Sequence, residues 1–326
     1  MRKSNSMKLI LVIFAVAAVA VSFFPSIVLA DEKVTLALPG QSMGYLPLKV
    51  AVHRNFFKEE GIDIETPRLM PNLAHNALMS GQVDYHGLAD SALALAARGA
   101  EVKVIFYGLD RPMYFLLSRD DVESVKQLKG KKVAISRYGG TSDLSARLVL
   151  QHFGVNPDGE AAILQIGSES SRVAALKSKS VDAAIVTVPN IIKLRGHGFN
   201  ELAYVGDIVE FASNGYTTTE QRIRERPDEV KKVLRAIYRG LRYVKDNRDG
   251  TIDVIKREWK IDDQVASQSY DAIVKALNDD GIIGEKQLKV HFDLIREKHK
   301  DVTDIPIDKV VDFSLLKEVR SEMGSK

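Results

Sequence analysis

From Asp31 onward, short runs rich in β-branched residues alternate with stretches in which apolar residues recur at the helical period. Strand-like runs separated by helix-like stretches predict βαβ units and a mainly parallel sheet. The series restarts after Gly130 with the same order of elements. The predicted strands are 34–38, 62–65, 83–89 and 102–108 in the first series, and 131–136, 161–167, 181–188 and 201–206 in the second.

Two short internal matches support a duplication. Segment 77–84 shares five residues with segment 175–182 at an offset of 98 positions, and Lys33-Val34 matches Lys132-Val133 at an offset of 99. A period near 100 residues is too long for a solenoid repeat, so we interpret the chain as two similar α/β lobes.

After Phe211 the pattern becomes almost wholly helical, and the apolar residues of segment 226–247 follow the 3.6-residue period. A helical tail without its own sheet should dock on lobe one. The expected fold class is α/β: two similar lobes with mainly parallel sheets, hinged by two crossings, with a helical C-terminal tail docking on lobe one. The expected boundaries are 31–117 and 215–326 for lobe one with its C-terminal helices, and 118–214 for lobe two.

The first thirty residues differ from the rest of the chain. Three basic residues are followed by the apolar run 9–24, then by Pro25 and a small-residue ending at Ala30, which predicts a secretory signal peptide cleaved after Ala30. The run is slightly short for a membrane anchor, which needs about 20 apolar residues. Cleavage would leave 43 basic and 43 acidic residues. Such a neutral chain offers no electrostatic surface for nucleic acid, and we expect an exported, periplasmic protein.

Cysteine is absent, which excludes disulfides, thiolate metal sites, a cysteine nucleophile and a lipid-modified cysteine. The seven histidines show no metal-binding spacing, and no phosphate-binding loop or dinucleotide motif is present. No metal or cofactor is expected.

Ligands of parallel sheets bind beyond the carboxyl ends of the strands. The loop after the first strand of lobe one is 40–45 and its equivalent in lobe two is 137–143, so these loops should face each other across a cleft. The candidate ligand contacts in these two loops are Ser42, Met43, Gly44, Tyr45, Arg137, Tyr138, Gly140, Thr141 and Ser142.

The second loop carries the most chemistry. Its glycines let a ligand approach the backbone, and Thr141 and Ser142 offer hydroxyls and the free N–H groups of a helix start, which suit a carboxylate, sulfonate or phosphate. Arg137 could add a charge-assisted pair and Tyr138 a stacking face. The alternative, that Thr141 or Ser142 merely caps its own helix, remains open.

Further candidates follow from their position at strand ends or crossings: Ala89, Asp90, Arg111, Pro189, Asn190, Asn214 and Tyr216. Each could instead be ordinary turn chemistry, and Arg111 could simply pair with Asp110 at the surface. Asp90 could hold an amine or hydroxyl of the ligand, and the cleft tyrosines suggest a flat or apolar ligand part.

Residues 40–44 match the G-x-S-x-G motif of serine hydrolases between a strand and a helix. A hydrolase elbow comes late in its sheet, however, whereas Ser42 follows the very first strand. A serine hydrolase using Ser42 is therefore the disfavoured alternative, and the protein is not expected to be an enzyme.

Several short motifs now occur in a fixed order: F-F-x-x-E-G at 56–61, G-x-V-D at 81–84, L-K-G-K-K-V at 128–133, G-G-T-S-D at 139–143 and V-D at 181–182. With them the chain resembles the solute-binding proteins of ABC importers over nearly all of residues 31–326. It is most similar to the branch with nitrate, sulfonate and taurine receptors and thiamine-pyrimidine-precursor-like proteins.

The resemblance implies a two-lobed, monomeric periplasmic protein that closes on a small molecule and hands it to an ABC permease in the inner membrane. It places ligand contacts in the loops already named. The expected ligand is a small organic anion, a sulfonate or carboxylate, with room for an aromatic part. The alternative within this fold is a ligand sensor that presents its closed form to a signalling receptor. The cysteine-rich iron motif of the pyrimidine-synthesising relatives is absent, so their chemistry is not implied.

Overall fold

The computed structural model describes residues 31–298 and 306–324, so the signal-peptide prediction for residues 1–30 lies outside the described residues. Within these ranges, ten strands form two five-stranded sheets. The strands are β1 (Glu32–Ala37), β2 (Ile62–Glu65), β3 (Tyr85–His86), β4 (Val102–Leu109), β5 (Phe115–Arg119), β6 (Lys132–Ile135), β7 (Ala162–Gln165), β8 (Ala183–Val186), β9 (Phe199–Tyr204) and β10 (Ser213–Thr219).

The two sheets share one topology. The first has the strand order β2-β1-β3-β10-β4 and the second β7-β6-β8-β5-β9. β1 pairs in parallel with β2 and β3, and β6 pairs in parallel with β7 and β8. The only antiparallel strand of each sheet, among the residues described, is the one that arrives from the other lobe: β10 in the first sheet and β5 in the second. The predicted pair of similar, mainly parallel lobes is confirmed.

The chain crosses between the lobes twice, over residues 110–114 and back over residues 205–212. The expected boundary at 117 falls inside β5, all of whose residues pair in the second sheet. The expected boundary at 214 falls inside β10, which pairs in the first sheet. The apolar run 113–117 continues from the crossing into β5 without a break, so hydrophobicity did not mark the change of lobe.

The helices follow the strands in the predicted order. They are α1 (Leu46–His53), α2 (Phe56–Glu59), α3 (Pro71–Met79), α4 (Ala89–Ala97), α5 (Thr141–His152), α6 (Glu169–Lys177), α7 (Asn190–Leu194), α8 (Glu220–Glu225), α9 (Pro227–Asp246), α10 (Arg248–Trp259), α11 (Asp263–Ile273), α12 (Glu285–Lys298), α13 (Ile307–Val310) and α14 (Ser314–Glu322). α1 and α5 occupy equivalent places, because α1 follows β1 and α5 follows β6, the second strand in the order of each sheet. None of the described helices is long and apolar enough to cross a membrane.

The helical tail packs on lobe one, as predicted. Its longest helix, α9, begins with Pro227 and carries acidic residues in its first turn, both favourable at a helix N-terminus. α9 lies so close to α1 that a Cβ on Gly240 would be 2.1 Å from the carbonyl oxygen of Pro47. Later in the tail, the backbone of Val311 bridges to Val104 of β4.

The lobes also pack against each other. One face of the second sheet, with Val133, Ile135 and Ile185, forms a separate small core inside lobe two. Residues of the opposite face, including Ala184 and Val186, belong to the same continuous apolar cluster as the core of lobe one. The structure therefore has its lobes in contact, and two of the candidate residues, Asp90 and Thr141, meet between them.

Candidate functional site

The two lobes are joined by a hydrogen bond between two of the candidate residues. Thr141, the first residue of α5 in lobe two, donates its hydroxyl hydrogen to Asp90 Oδ2 in the first turn of α4 in lobe one. The N-cap of α4, Leu88, provides no side-chain cap, so the Asp90 carboxylate lies beside amides that have no helical partner. The negative charge therefore lies where the starts of two helices face each other.

The second oxygen of the Asp90 carboxylate is buried and, within the described ranges, has no hydrogen-bond partner. His291 of the tail comes within 3.8 Å of Oδ1 through its Nε2 atom. That Nε2 atom is 2.8 Å from the carbonyl oxygen of Ala212, to which it donates its hydrogen. Because burial removes the hydration of a carboxylate oxygen, Oδ1 is an open acceptor for a donor group.

Three buried tyrosines lie within electrostatic range of this carboxylate, and a fourth, Tyr216, has its ring 6.2 Å from that of Tyr45. Burial is the main cause that raises the pKa of Tyr45, Tyr107 and Tyr114, for Tyr114 to about 12, and the negative charge of Asp90 contributes to each increase. Burial also raises the pKa of Tyr216. All four phenols are therefore neutral at physiological pH. The hydroxyl groups of Tyr107 and Tyr216 are buried and lack a partner among the described residues, as Asp90 Oδ1 does.

The loop of lobe one is braced by Asn214 of β10. Ser42 Oγ accepts a hydrogen bond from the Gly44 amide at 3.1 Å, and the Asn214 carboxamide donates to the same oxygen at 3.5 Å. A Cβ on Gly44 would lie 2.2 Å from Asn214 Cγ, so only glycine fits there. The buried Met43 follows Ser42, and the Tyr45 hydroxyl donates to the carbonyl oxygen of Gly87. The loop is thus a fixed wall beside Asp90.

The neighbours of Ser42 do not form a hydrolase site. Its hydroxyl interacts with an amide N–H and a carboxamide, and among the residues that the structure describes no histidine is hydrogen-bonded to it. A serine nucleophile needs an adjacent base. The geometry gives the hydrolase alternative no support.

The start of α5 differs from the anion site expected there. Ser142 Oγ accepts a hydrogen bond from the Ser136 amide at 2.9 Å and lies 2.6 Å from Ser136 Oγ, so it holds the preceding loop. Asp143 is also buried, and its Oδ2 accepts the Gly139 amide hydrogen at 2.7 Å. A carboxylate of the protein thus already lies in the first turn of α5 and reduces the attraction of this helix end for another anion.

Arg137 provides a cation that the expected anion could use. Burial, and to a smaller extent the charge of Arg137, lowers the pKa of His75 in lobe one, so Arg137 lies within electrostatic range of lobe one. Arg137 is half-buried and forms no ion pair with any described carboxylate. Its stem packs against the backbone at Gly140, where a Cβ would lie 3.1 Å from Arg137 Cγ.

Tyr138 is 54% exposed, and its hydroxyl donates to the carbonyl oxygen of Ile163 in β7 at 2.9 Å. Arg111 forms an exposed ion pair with Glu210 at 3.1 Å and so links the two crossings, while Asp110 accepts from Asn278 instead. Tyr138 and Arg111 therefore lie outside the group around Asp90, which consists of Asp90, Thr141, His291 and the nearby tyrosines.

The lobe-two candidates at the start of α7 have partners of their own. Asn190 donates to Glu169 Oε1 at 2.8 Å, and Pro189 follows a cis peptide bond. In lobe one, Ala89 is buried against β10, where a Cβ on Gly215 would approach its Cβ to 2.8 Å. These residues shape the walls of the interlobe region.

Sequence reasoning missed three residues near Asp90: Tyr107, Tyr114 and His291. Tyr107 lies inside β4, a wholly buried strand, so the sequence pattern predicts a core residue there. His291 reaches the site from the docked tail, a contact between residues about 200 positions apart. Of the three, only Tyr114 could have been proposed from its position, because it lies in the first crossing.

A second polar cluster lies beside this group. His75 Nδ1 is 2.9 Å from His86 Nε2, and His75 Nε2 is 2.9 Å from Ser91 Oγ. Burial lowers the pKa of His75 to about 4 and that of His86 to about 3, so both rings are neutral at physiological pH. The described part of the chain has no group of three or more His, Asp or Glu side chains that could hold a metal ion.

Comparisons with known proteins agree with this architecture. The model of the family described as "NMT1/THI5 like" matches residues 43–250. YtlA of Bacillus subtilis strain 168, provisionally named a binding protein, is 24% identical over 306 residues, 89% of this chain and 90% of YtlA. The 4-amino-5-hydroxymethyl-2-methylpyrimidine phosphate synthase THI11 of Saccharomyces cerevisiae is 25% identical over 238 residues, 66% of this chain and 68% of THI11.

Among solved structures, the ligand-binding component of an ABC-type import system from Staphylococcus aureus, with zinc bound, superposes with a TM-score of 0.71. The superposition covers 89% of this chain and 99% of that chain at 15% sequence identity. At this identity the likeness shows a shared two-lobed fold.

Proposed function

Because the chain belongs to the NMT1/THI5-like family, we propose that it is the solute-binding protein of an ABC importer and encloses a small organic solute between its lobes. The observation that carries the proposal is the Thr141–Asp90 hydrogen bond between the lobes, with buried polar atoms left unpartnered around it. Buried polar groups in proteins are normally hydrogen-bonded, so unpartnered ones at a contact between lobes favour a ligand there.

The two crossings provide the hinge that such a protein needs. Two connections that run side by side allow one lobe to rotate on the other, which is the usual geometry of domain closure around a ligand. The Arg111–Glu210 ion pair links the crossings at the surface, outside the group around Asp90. An exported protein of this kind would deliver its solute to a permease of the inner membrane.

We propose further that the solute carries a negative group, received by Arg137. Arg137 is half-buried in the loop before α5 and has no carboxylate partner in the described ranges. An arginine held in such a position suits a carboxylate or sulfonate, with which it forms charge-assisted hydrogen bonds.

Binding without catalysis is the function we favour, although THI11 is a synthase. Among the described residues no base is hydrogen-bonded to Ser42, and burial holds the tyrosines near the contact between the lobes neutral. A site of neutral phenols and one charge on each lobe is suited to enclosing a solute.

The test is a binding measurement on the exported protein after dialysis. Small organic acids are screened by thermal shift, and the best is measured by calorimetry and by X-ray scattering. We expect a dissociation constant of about 1 μM, or about 8 kcal/mol, and a radius of gyration no larger with the solute than without it. Arg137→Gln should weaken binding about tenfold or more, whereas the matched control Arg111→Gln should not. Failure of every small solute to bind would contradict the proposal.

A further inference from the structure

The lobe-one side of the site has the opposite polarity from Arg137. We infer that the solute carries a cationic nitrogen group, an ammonium or an amidinium, which binds to the Asp90 carboxylate. This inference rests on the proposed function and adds the chemical class of the solute.

The first step is the unequal use of the two carboxylate oxygens. Thr141 donates to Oδ2, but Oδ1 is buried without a partner in the part of the chain that is described. The nearest nitrogen that could serve it, Nε2 of His291, lies 3.8 Å away and donates to Ala212 instead. A buried carboxylate oxygen costs free energy unless a donor or a positive charge faces it.

The second step is independent of Asp90. The phenol oxygens of Tyr107 and Tyr216 are unpartnered, and both side chains are at most 1% exposed. Phenol oxygens accept hydrogen bonds, so Tyr107, Tyr216 and Oδ1 give three buried acceptors without a partner among the described residues. The ring of Tyr216 also lies 6.2 Å from that of Tyr45 and 5.8 Å from that of Phe106, which forms an aromatic wall. A carboxylate, phenol oxygens and aromatic rings together suit an organic cation.

The third step excludes the simpler occupants of this side. An anionic group next to Asp90 would bring two like charges together in a buried region, which opposes binding. An apolar group would leave all three acceptors unsatisfied. A nitrogen with several N–H groups and a positive charge satisfies the acceptors and balances the charge.

The fourth step connects the two charged residues. The Arg137 side chain packs at Gly140, the residue before Thr141, and Thr141 donates its hydroxyl hydrogen to Asp90. The cation of lobe two and the carboxylate of lobe one therefore both lie beside the start of α5. The arrangement fits a zwitterionic solute, with its nitrogen toward Asp90 and its acidic group toward Arg137.

The first experiment is a thermal-shift screen of the dialysed protein against small solutes sorted into anions, cations, zwitterions and neutral molecules. Stabilisation by zwitterions is the expected result, and stabilisation by cations alone would also support the role of Asp90 while removing that of Arg137. Stabilisation by anions or neutral molecules alone would overturn this inference but would still agree with the proposed solute-binding function. No stabilisation in any class would contradict both.

The second experiment identifies the contact. Calorimetry compares the best-binding solute with its analogue in which the nitrogen group is replaced by methyl. On the wild type, the analogue should bind about tenfold to a hundredfold more weakly, as expected for loss of hydrogen bonds to a charged group. Asp90→Asn should weaken the nitrogen-bearing solute by a similar factor and leave the analogue unchanged, and the exposed control Asp63→Asn should change neither.

Equal binding of the two solutes by the wild type would overturn the inference without any variant. The inference is also overturned if Asp90→Asn binds the nitrogen-bearing solute as tightly as the wild type does. In that case the partner of Oδ1 in the wild type is a trapped water and not the solute. The ligand-free Asp90→Asn protein loses the charge that receives the Thr141 hydrogen bond, so it should melt somewhat lower than the wild type but still in one cooperative transition above the assay temperature, which shows that weaker binding is not a folding defect.

Discussion

The hydroxyl of Thr141 donates a hydrogen bond to the carboxylate of Asp90, and this bond connects the first turn of a helix in each lobe. Each helix start carries the partial positive charge of its unpaired amides. Without the Asp90 carboxylate the two positive helix ends would face each other. One negative charge therefore stabilises the contact between the lobes and leaves one oxygen for a ligand.

Removal of the Thr141 hydroxyl should open the ligand-free protein. Thr141→Val keeps the shape of the side chain and deletes the donor to Asp90, a hydrogen bond to a charged group worth about 1.5–3 kcal/mol. We expect a larger radius of gyration in X-ray scattering than for the wild type. Thr141→Ser, which retains the hydroxyl, should behave as the wild type, and an unchanged radius for Thr141→Val would show that other contacts hold the lobes together.

The contact between α9 and α1 depends on a glycine. A Cβ on Gly240 would lie 2.1 Å from the carbonyl oxygen of Pro47 and 3.1 Å from the Cβ of Ala51. Gly240→Ala gains about 1 kcal/mol of helix propensity but forces two buried helices apart, so we expect a net loss of about 1–3 kcal/mol. Urea denaturation measures this loss. Gly159→Ala, where the nearest atom would be 3.8 Å away, is the matched control and should cost far less.

The two-lobed architecture was predictable because its signals are local. β-Branched runs, helical periods and the match of 77–84 to 175–182 depend on neighbouring residues, and the structure has the predicted elements in the predicted order in both lobes. It adds two strands that the sequence did not predict, β5 and β10, the second within the stretch expected to be helical. The crossings were misplaced by a few residues, because β5 and β10 have the composition of strands from either lobe and only their pairing assigns them to a sheet.

The site was less predictable because its contacts are distant in sequence. Thr141 and Asp90 could be proposed separately from their places after strands, but their hydrogen bond depends on how the lobes close. The glycine pair before α5 suggested helix-start amides that are free to bind a ligand. The sequence did not reveal that the Asp143 carboxylate accepts a hydrogen bond from the Gly139 amide. Which of the candidates contact the solute stays a prediction.

The buried histidine pair should make stability depend on pH. The pKa of His75 is lowered to about 4 and that of His86 to about 3, chiefly by burial, from an unfolded-state value of about 6.5. Between these values the unfolded chain binds more protons than the folded one, so stability present above pH 6.5 is lost as the pH falls toward 4 and then 3.

Urea unfolding at a series of pH values measures this loss. Replacement of His75 by Gln removes one group that takes up a proton on unfolding. The slope of the free energy of unfolding against pH below 6.5 should therefore decrease by the equivalent of up to one proton. The exposed His197→Gln is the control and should follow the wild-type curve. A curve for His75→Gln as steep as that of the wild type would contradict the assignment of the neutral pair.

A buried ion pair fastens α9 to the first sheet. Glu229, in the first turn of α9 and 3% exposed, accepts hydrogen bonds from the Tyr85 hydroxyl at 2.6 Å and from Arg222 Nη2 at 2.7 Å. Arg222 also contacts Asp84 through Nη1 at 2.6 Å. Arg222→Leu would leave the Glu229 carboxylate buried without its cation, and we expect a loss of about 3–5 kcal/mol in the free energy of unfolding, measured with urea.

The exposed Arg226 provides the matched control, because it approaches the same carboxylate only to 3.5 Å and is 49% exposed. Arg226→Leu should cost at most about 1 kcal/mol, as is usual for ion pairs at the surface. The double variant Arg222→Leu with Glu229→Gln should be more stable than Arg222→Leu alone, because the unpaired charge is gone while Gln can still accept the Tyr85 hydrogen. If Arg222→Leu costs no more than Arg226→Leu, the buried pair is not what holds α9 to the sheet.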